Sequence, residues 1–384
     1  MHQTVGGANG VIERERALLD SAGHDVRSLF IESADYLSGP KHRQFSSVIW
    51  NPEANRAVRQ AIANQNTDVV HLHTPFPFMS PSVIRAAKGV GVPVVMTSHS
   101  FRIPCIAATL RRDGNECHDC VGAKTALAGV RHRCYHDSVA ASTAMALSST
   151  LHHRTGTYSR AIDKHLALTS YMKDLLVRDG IAADRVEVHP NFIPDPGAPA
   201  KSGRRARSGA LFIGRLVPEK GVETLIDAWR ILGPDAPQLQ IIGDGPQRSQ
   251  LEAIAPDNVS FAGEIPNHRV AGELANAEAL VFPSEWPEGL GLSWVEALAS
   301  ATPVIYSDIG NFTELLDQAR CGYSFTTGSC ESLAKAADAF FASSIGERET
   351  LGTAARSYYE ANFTPTAALE RLERIYTGLE NVAL

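Results

Sequence analysis

The chain has 384 residues, 44% of them hydrophobic and 20% charged, with a formal net charge of −6 and a pI near 6.2. That length predicts two domains, each able to bury its own core, and the acidic balance argues against a nucleic-acid partner, which needs a basic face. No apolar run reaches the about 18 residues of a membrane span, and the opening MHQTVGGANG lacks the basic stretch and apolar run of a secretory signal, so a cytoplasmic location is expected.

Short apolar strands alternate with amphipathic stretches along most of the chain, the pattern of parallel α/β units. In the first half, strands are expected at Val26–Ile31, Asp68–His71, Pro93–Thr97, His165–Thr169 and Arg185–His189. A cysteine-rich insertion at about 101–137 interrupts that half in a stretch with little periodicity. Asn191 to Gly209, rich in Pro, Gly and Arg, reads as a hinge-like linker. The second half carries expected strands at Ala210–Ile213, Gln238–Ile242, Val259–Phe261, Ala279–Phe282, Pro303–Tyr306 and Gly322–Phe325. After Thr364-Pro365, the residues Leu369, Leu372, Ile375, Tyr376 and Leu379 recur at helical spacing, which by pattern alone fits a capping helix of the second domain. The expected division is 1–195, a linker at 196–208, 209–362, and a terminal helix over 363–384.

Three strand-end loops carry the chemistry. EGLGLSWVEALA, Glu288 to Ala299, follows the strand at Ala279–Phe282 and sets Glu288 and Glu296 around a glycine-rich helix start. The free amides of Gly289, Leu290, Gly291, Leu292 and Ser293 point out of such a start, where anions bind well. A phosphate on those amides would have a carboxylate on either side, each able to accept hydrogen bonds from sugar or ribose hydroxyls. GRLVPEKG follows the strand at Ala210–Ile213 and supplies Arg215 and Lys220 between Gly214 and Gly221; charge-assisted hydrogen bonds of this kind contribute roughly 1.5–3 kcal/mol each. Gly243-Asp244-Gly245-Pro246 ends the third strand. Loops at one end of several strands fit a doubly wound sheet, whose ligands bind beyond the carboxyl ends of the strands. His99, just past Val94–Thr97, and His71 and His73 in HLHTP are strand-end histidines suited to a cleft or to packing.

With GRLVPEKG, GDGP, VFPSEWPEGLG, GVPVVMTSHS, HLHTP, SAGHDV and the Glu-x7-Glu pair, the chain resembles the family 4 retaining glycosyltransferases from about Gly6 to about Leu379. The resemblance implies the GT-B architecture: two Rossmann-like doubly wound domains facing across a cleft, with the terminal helix crossing back to the first. It implies a nucleotide-diphosphate sugar donor, UDP- or GDP-linked, and a glycan or lipid-linked acceptor. Glu288 would face the transferred sugar and Glu296 the ribose. Arg215 and Lys220 would bind the diphosphate, and His99 would contact the donor sugar. Gly6, Gly7, Gly214, Gly243, Gly245, Ile265, Gly289, Leu290, Gly291 and Leu292 complete the implied donor site. No Asp-x-Asp pair occurs, which fits a transferase that needs no cofactor and neutralises the diphosphate with side chains and a helix end. Members of the family usually have a central strand ahead of the Gly-Gly loop. Here only Met1 to Val5 precede Gly6, so either that strand is missing or the start codon is misassigned. A nucleotide-sugar 2-epimerase of the same architecture and a non-catalytic nucleotide-sugar-binding subunit are the alternatives.

Cys105, Cys117, Cys120 and Cys134 are spaced C-x11-C-x2-C-x13-C among His118, His132 and His136. A structural zinc site leads, because Cys-x2-Cys has metal-ligand spacing; disulfides and unpaired thiols are the other readings. Arg204, Arg205 and Arg207 in the linker, with Arg111, Arg112, Arg131 and Arg133 beside the cysteines, would serve either a peripheral membrane contact or solvation.

Overall fold

The computed structural model describes residues 7–31, 39–197 and 207–380. The chain divides into two compact units, one of residues 1–191 with 368–384 and one of residues 192–367. No described helix is long and apolar enough to cross a membrane.

The first unit is built on four parallel strands: β1 (Val70–His73), β2 (Val94–Ser98), β5 (Lys164–Ala167) and β6 (Val186–Val188), in the order β1-β2-β5-β6. A small antiparallel hairpin of β3 (Arg111–Arg112) and β4 (Asn115–Glu116) lies in the cysteine-rich insertion. Every residue of β2 is buried, as expected of a parallel strand covered on both faces. Helix Gly7–Ser21 turns Val11, Glu15 and Leu19 inward along one stripe. The terminal helix Pro365–Glu380 contributes Leu372, Ile375 and Leu379 to the same core as Leu19, Val95 and Leu166.

One strand is not formed. Val26–Ile31, expected as a strand, runs as irregular chain. A short apolar stretch makes a strand only when a ladder partner is at hand. Among the described residues β1 pairs with β2 alone. On its other side lies a groove of about 950 Å³, lined by Val26–Ile31 together with His71, His73 and Tyr376. The expected strand at Asp68–His71 lies two residues further on, which brings both histidines into β1 on one face. The expectation of a missing or misassigned strand ahead of Gly6 falls outside the described residues, as do Arg204 and Arg205.

The second unit is a six-stranded parallel sheet: β7 (Ala210–Ile213), β8 (Leu239–Ile242), β9 (Val259–Gly263), β10 (Ala279–Phe282), β11 (Val304–Ser307) and β12 (Gly322–Phe325). Its order is β12-β11-β10-β7-β8-β9. The chain winds outward from β7 through β8 to β9, then returns to β10 on the other side of β7. The order therefore reverses between β7 and β10, where ligands of doubly wound sheets bind. Phe212, Leu225, Trp229, Ile241, Val281 and Phe340 fill one face of this sheet.

Two consequences are measurable. Leu372 is fully buried, so Leu372→Ala should cost about 2–5 kcal/mol, read as a lower urea midpoint for the first unit. Burial lowers the pKa of His165 to about 4, against the opposing hydrogen bond to the Tyr158 carbonyl. The unfolded chain therefore takes the proton first. His165 stabilises the fold above pH about 6.5, and that contribution is lost as pH falls toward 4. A His165→Leu variant should show a shallower fall of melting temperature with pH across that window.

Candidate active site

In the second unit, the loops leaving β7 and β10 meet. Lys220, in the short turn Pro218–Lys220 after β7, places its Nζ 2.8 Å from Glu288 Oε1 in the loop after β10. Both side chains are largely shielded, with 21% and 9% of their surface exposed. The Ser284 hydroxyl donates to the same Glu288 oxygen. Lys220 also sits 5.9 Å from the centroid of the Phe282 ring. The loops are locked by backbone as well: Glu285 N–H donates to the Glu219 carbonyl at 2.9 Å, and Thr224 Oγ1 donates to Glu285 Oε1 at 2.6 Å.

Two glycines make this closeness possible. Gly221 has φ of +66°, and a Cβ there would lie 2.0 Å from the Pro283 carbonyl oxygen. At Gly243, φ is +137° and a Cβ would lie 1.9 Å from the Gly214 carbonyl oxygen. A side chain at either position would push apart two of the three strand-end loops. Leu216 N–H donates to the Asp244 carbonyl at 2.9 Å, which ties the GRLVPEKG and GDGP loops together beside Gly245.

Gly291 caps the helix Leu292–Ala299 without a side-chain hydrogen bond, and Gly289 and Leu290 lead into it. Glu296 lies one turn inside that helix and is partly exposed. Arg215 is exposed at the end of β7, with no ion pair or hydrogen bond of its side chain among the described residues. Ile265 follows β9, the outer strand beyond β8. Ser284 was not singled out from the sequence, although it stands four residues before Glu288.

The first unit holds a second polar cluster. Gly7 opens its first helix, and Gly6 lies outside the described residues. His99 Nε2 meets His73 Nδ1 at 3.0 Å. His73 Nε2 and His71 Nδ1 lie 3.2 and 3.1 Å from the same oxygen, Oε1 of Glu15. His71 also meets Tyr376 Oη and Thr97 Oγ1, each at 2.7 Å. Burial, then His73, lowers the pKa of His99 to about 3, so it is neutral at physiological pH. Burial raises the carboxyl of Glu15, but His71 and His73 together hold it well below its ordinary value. Glu15 and Tyr376 were missed from sequence. The available signal was a lone carboxylate on the buried stripe Val11, Glu15, Leu19.

Cys105, Cys117, Cys120 and Cys134 line one small cavity of about 20 Å³ against Ile106 and Gly129. None forms a disulfide. Burial, then Cys105, pushes the Cys120 thiol up to about 11. Among the described residues, the one trio of His, Cys, Asp or Glu ligand atoms within 4.8 Å of one another is Glu15, His71 and His73.

Comparison with known proteins places these features. Residues 5–195 match the family model described as Glycosyltransferase Family 4, and residues 202–358 match Glycosyl transferases group 1. A phosphatidyl-myo-inositol mannosyltransferase of Mycobacterium leprae is 23% identical over 344 residues, spanning 88% of this chain and 80% of that protein. A GDP-mannose-dependent alpha-mannosyltransferase of Mycolicibacterium smegmatis is 35% identical over 159 residues, spanning 41% of this chain and 40% of that protein. The chain spans only 26% and 24% of the length of two further relatives. Among solved structures, Anabaena HepE in complex with UDP aligns with a TM-score of 0.68 at 17% identity, over 97% of both chains. Two Rossmann-like units, an order reversal flanked by GRLVPEKG and the Glu-x7-Glu loop, and matches over nearly the whole length agree: the chain has the GT-B fold and belongs to the family 4, group 1 glycosyltransferases.

Proposed function

We propose that the chain transfers a hexosyl group, with retention, from a UDP- or GDP-sugar to a glycan or lipid-linked acceptor in exopolysaccharide or glycoconjugate assembly. The observation that carries this reading is the Lys220–Glu288 pair at 2.8 Å, formed by loops from the two strands that flank the order reversal. An activated sugar brings both groups new partners. Its diphosphate takes Lys220 and the exposed Arg215, while the helix start at 289–293 offers amides to the anion. Glu288, released from Lys220, turns to accept from sugar hydroxyls, and Glu296 accepts from the ribose.

In the chemical step the bond between the anomeric carbon and its phosphate oxygen breaks, the nucleoside diphosphate leaves with that oxygen, and a bond to the acceptor oxygen forms on the same face. The acceptor proton passes to the leaving phosphate. Fixed positive charge aimed at that phosphate is the main catalytic aid, and transfer needs no bound divalent ion. Glu288 positions the sugar and stabilises positive charge at the anomeric centre without attacking it. The role of His99 as a donor-sugar contact rests on the family resemblance. Names among the relatives support a nucleotide-sugar donor, since one is GDP-mannose-dependent and one neighbour is complexed with UDP.

Arg215→Ala gives the cleanest test, because its exposed side chain has no partner to orphan among the described residues. It should leave the donor-free melting temperature unchanged and lower kcat/KM by about 10²–10³. Lys220→Ala should lose comparable activity and also destabilise the fold, because it strands a shielded carboxylate. Glu296→Ala should weaken donor binding with little effect on stability. These are checked by thermal shift against UDP-, GDP- and ADP-hexoses and by donor-hydrolysis rates. Absence of any shift with every donor would defeat the reading.

A further inference from the structure

We infer that Glu15, His71 and His73 form a binding site for one divalent transition-metal ion of the zinc class, within the first unit and sharing no residue with the Lys220–Glu288 site. Three separate observations converge on it.

The first is geometry. His71 and His73 project from the same face of β1, and helix Gly7–Ser21 brings Glu15 over them. His71 Nδ1 and His73 Nε2 stand 3.1 and 3.2 Å from one carboxylate oxygen. Nitrogen and oxygen ligands sit about 2.0–2.2 Å from zinc, so the edges of a tetrahedral site measure about 3.3–3.5 Å. The two nitrogen–oxygen edges are thus already near the separations an ion would impose, and all three ligand atoms lie within 4.8 Å of one another. Tyr376 Oη, 2.7 Å from His71 Nδ1, borders the remaining position.

The second is the direction of the outer nitrogens. His71 Nε2 meets Thr97 Oγ1 at 2.7 Å and His73 Nδ1 meets His99 Nε2 at 3.0 Å. Metal-bound imidazoles are usually fixed in this way, with one ring nitrogen held by an outer partner while the other faces the ion.

The third is charge. Glu15 is only 4% exposed, and its ion-pair contacts among the described residues are His71, His73 and His189, with no Lys or Arg. A buried carboxylate is costly unless paired, and a dication bound by two neutral imidazoles supplies fixed positive charge. Access is open, because all three residues line the 950 Å³ groove beside β1. Imidazole and carboxylate together suit zinc, iron or cobalt rather than magnesium or calcium. Bound there, the ion would pin the first helix to β1 and orient His73, and through it His99.

The test uses the full-length protein, stripped with chelator and titrated with cobalt(II) and zinc(II). We expect uptake of about one ion per chain, with cobalt d–d bands typical of nitrogen and oxygen ligands and no near-ultraviolet thiolate band. At a zinc concentration hundredfold over Kd, the melting temperature should rise by roughly 5–10 °C. Glu15→Gln and His73→Gln should weaken binding beyond the about 10–100-fold that outer ligand partners contribute. A Cys117→Ser/Cys120→Ser variant should bind as the parent does. No uptake would overturn the inference, as would a cobalt thiolate band lost in the cysteine variant. The parent spectrum decides the matter even if a substituted chain fails to fold.

Discussion

The candidate donor site depends on the pairing of β7 with β10. These strands are far apart in the chain yet neighbours in the sheet, with Ala210 opposite Ala279 and Leu211 opposite Leu280. Because the winding reverses there, the loop leaving β7 and the loop leaving β10 emerge side by side with no crossover helix between them. Lys220 and Glu288, 68 residues apart in sequence, meet for that reason. The glycine contacts Gly221–Pro283 and Gly243–Gly214 then hold three loops at backbone distance. The surrounding core is Val, Ile, Leu and aromatic packing that any sheet of this kind needs. What makes this one a site is the reversal plus the absence of side chains at two crowded positions.

The salt bridge has a chemical meaning beyond stability. Lysine and glutamate that satisfy one another are charge-balanced before any ligand arrives. A ligand gains from them only if it offers an anion to the lysine and hydroxyls to the glutamate together. A free phosphate would satisfy one and strand the other in a shielded position. On the function proposed above, the arrangement favours a ligand with both groups at a fixed spacing, as in a sugar diphosphate, over either part alone.

Much of this was legible in the chain. The strands of the second unit follow from apolar runs closed by Gly and Pro, and the loops GRLVPEKG and EGLG mark themselves by residue types that serve anions. The contact of Lys220 with Glu288 was not legible, because it depends on strand order, which no local pattern encodes. Val26–Ile31 differs from expectation for a related reason: its apolar residues are genuine, but a strand is a property of two segments. Glu15 was hidden differently. On a stripe with Val11 and Leu19, one charged residue reads as an imperfection in an amphipathic helix, and its purpose emerges only when β1 brings two imidazoles to it. The cysteines announced a cluster, and the fold gathers all four around one cavity, although no three of the sulfurs approach within 4.8 Å of one another.

The outer side of β1 bears on how the protein behaves in solution. Among the described residues its peptide groups on that side face the groove rather than another ladder. A short row of outward-facing amides and carbonyls at a sheet margin is a template for backbone from elsewhere. Association through this margin would depend on protein concentration and, resting on backbone hydrogen bonds, be less sensitive to salt than contacts between charged side chains. Val26–Ile31 lines the same groove, so an incoming strand would have to displace it.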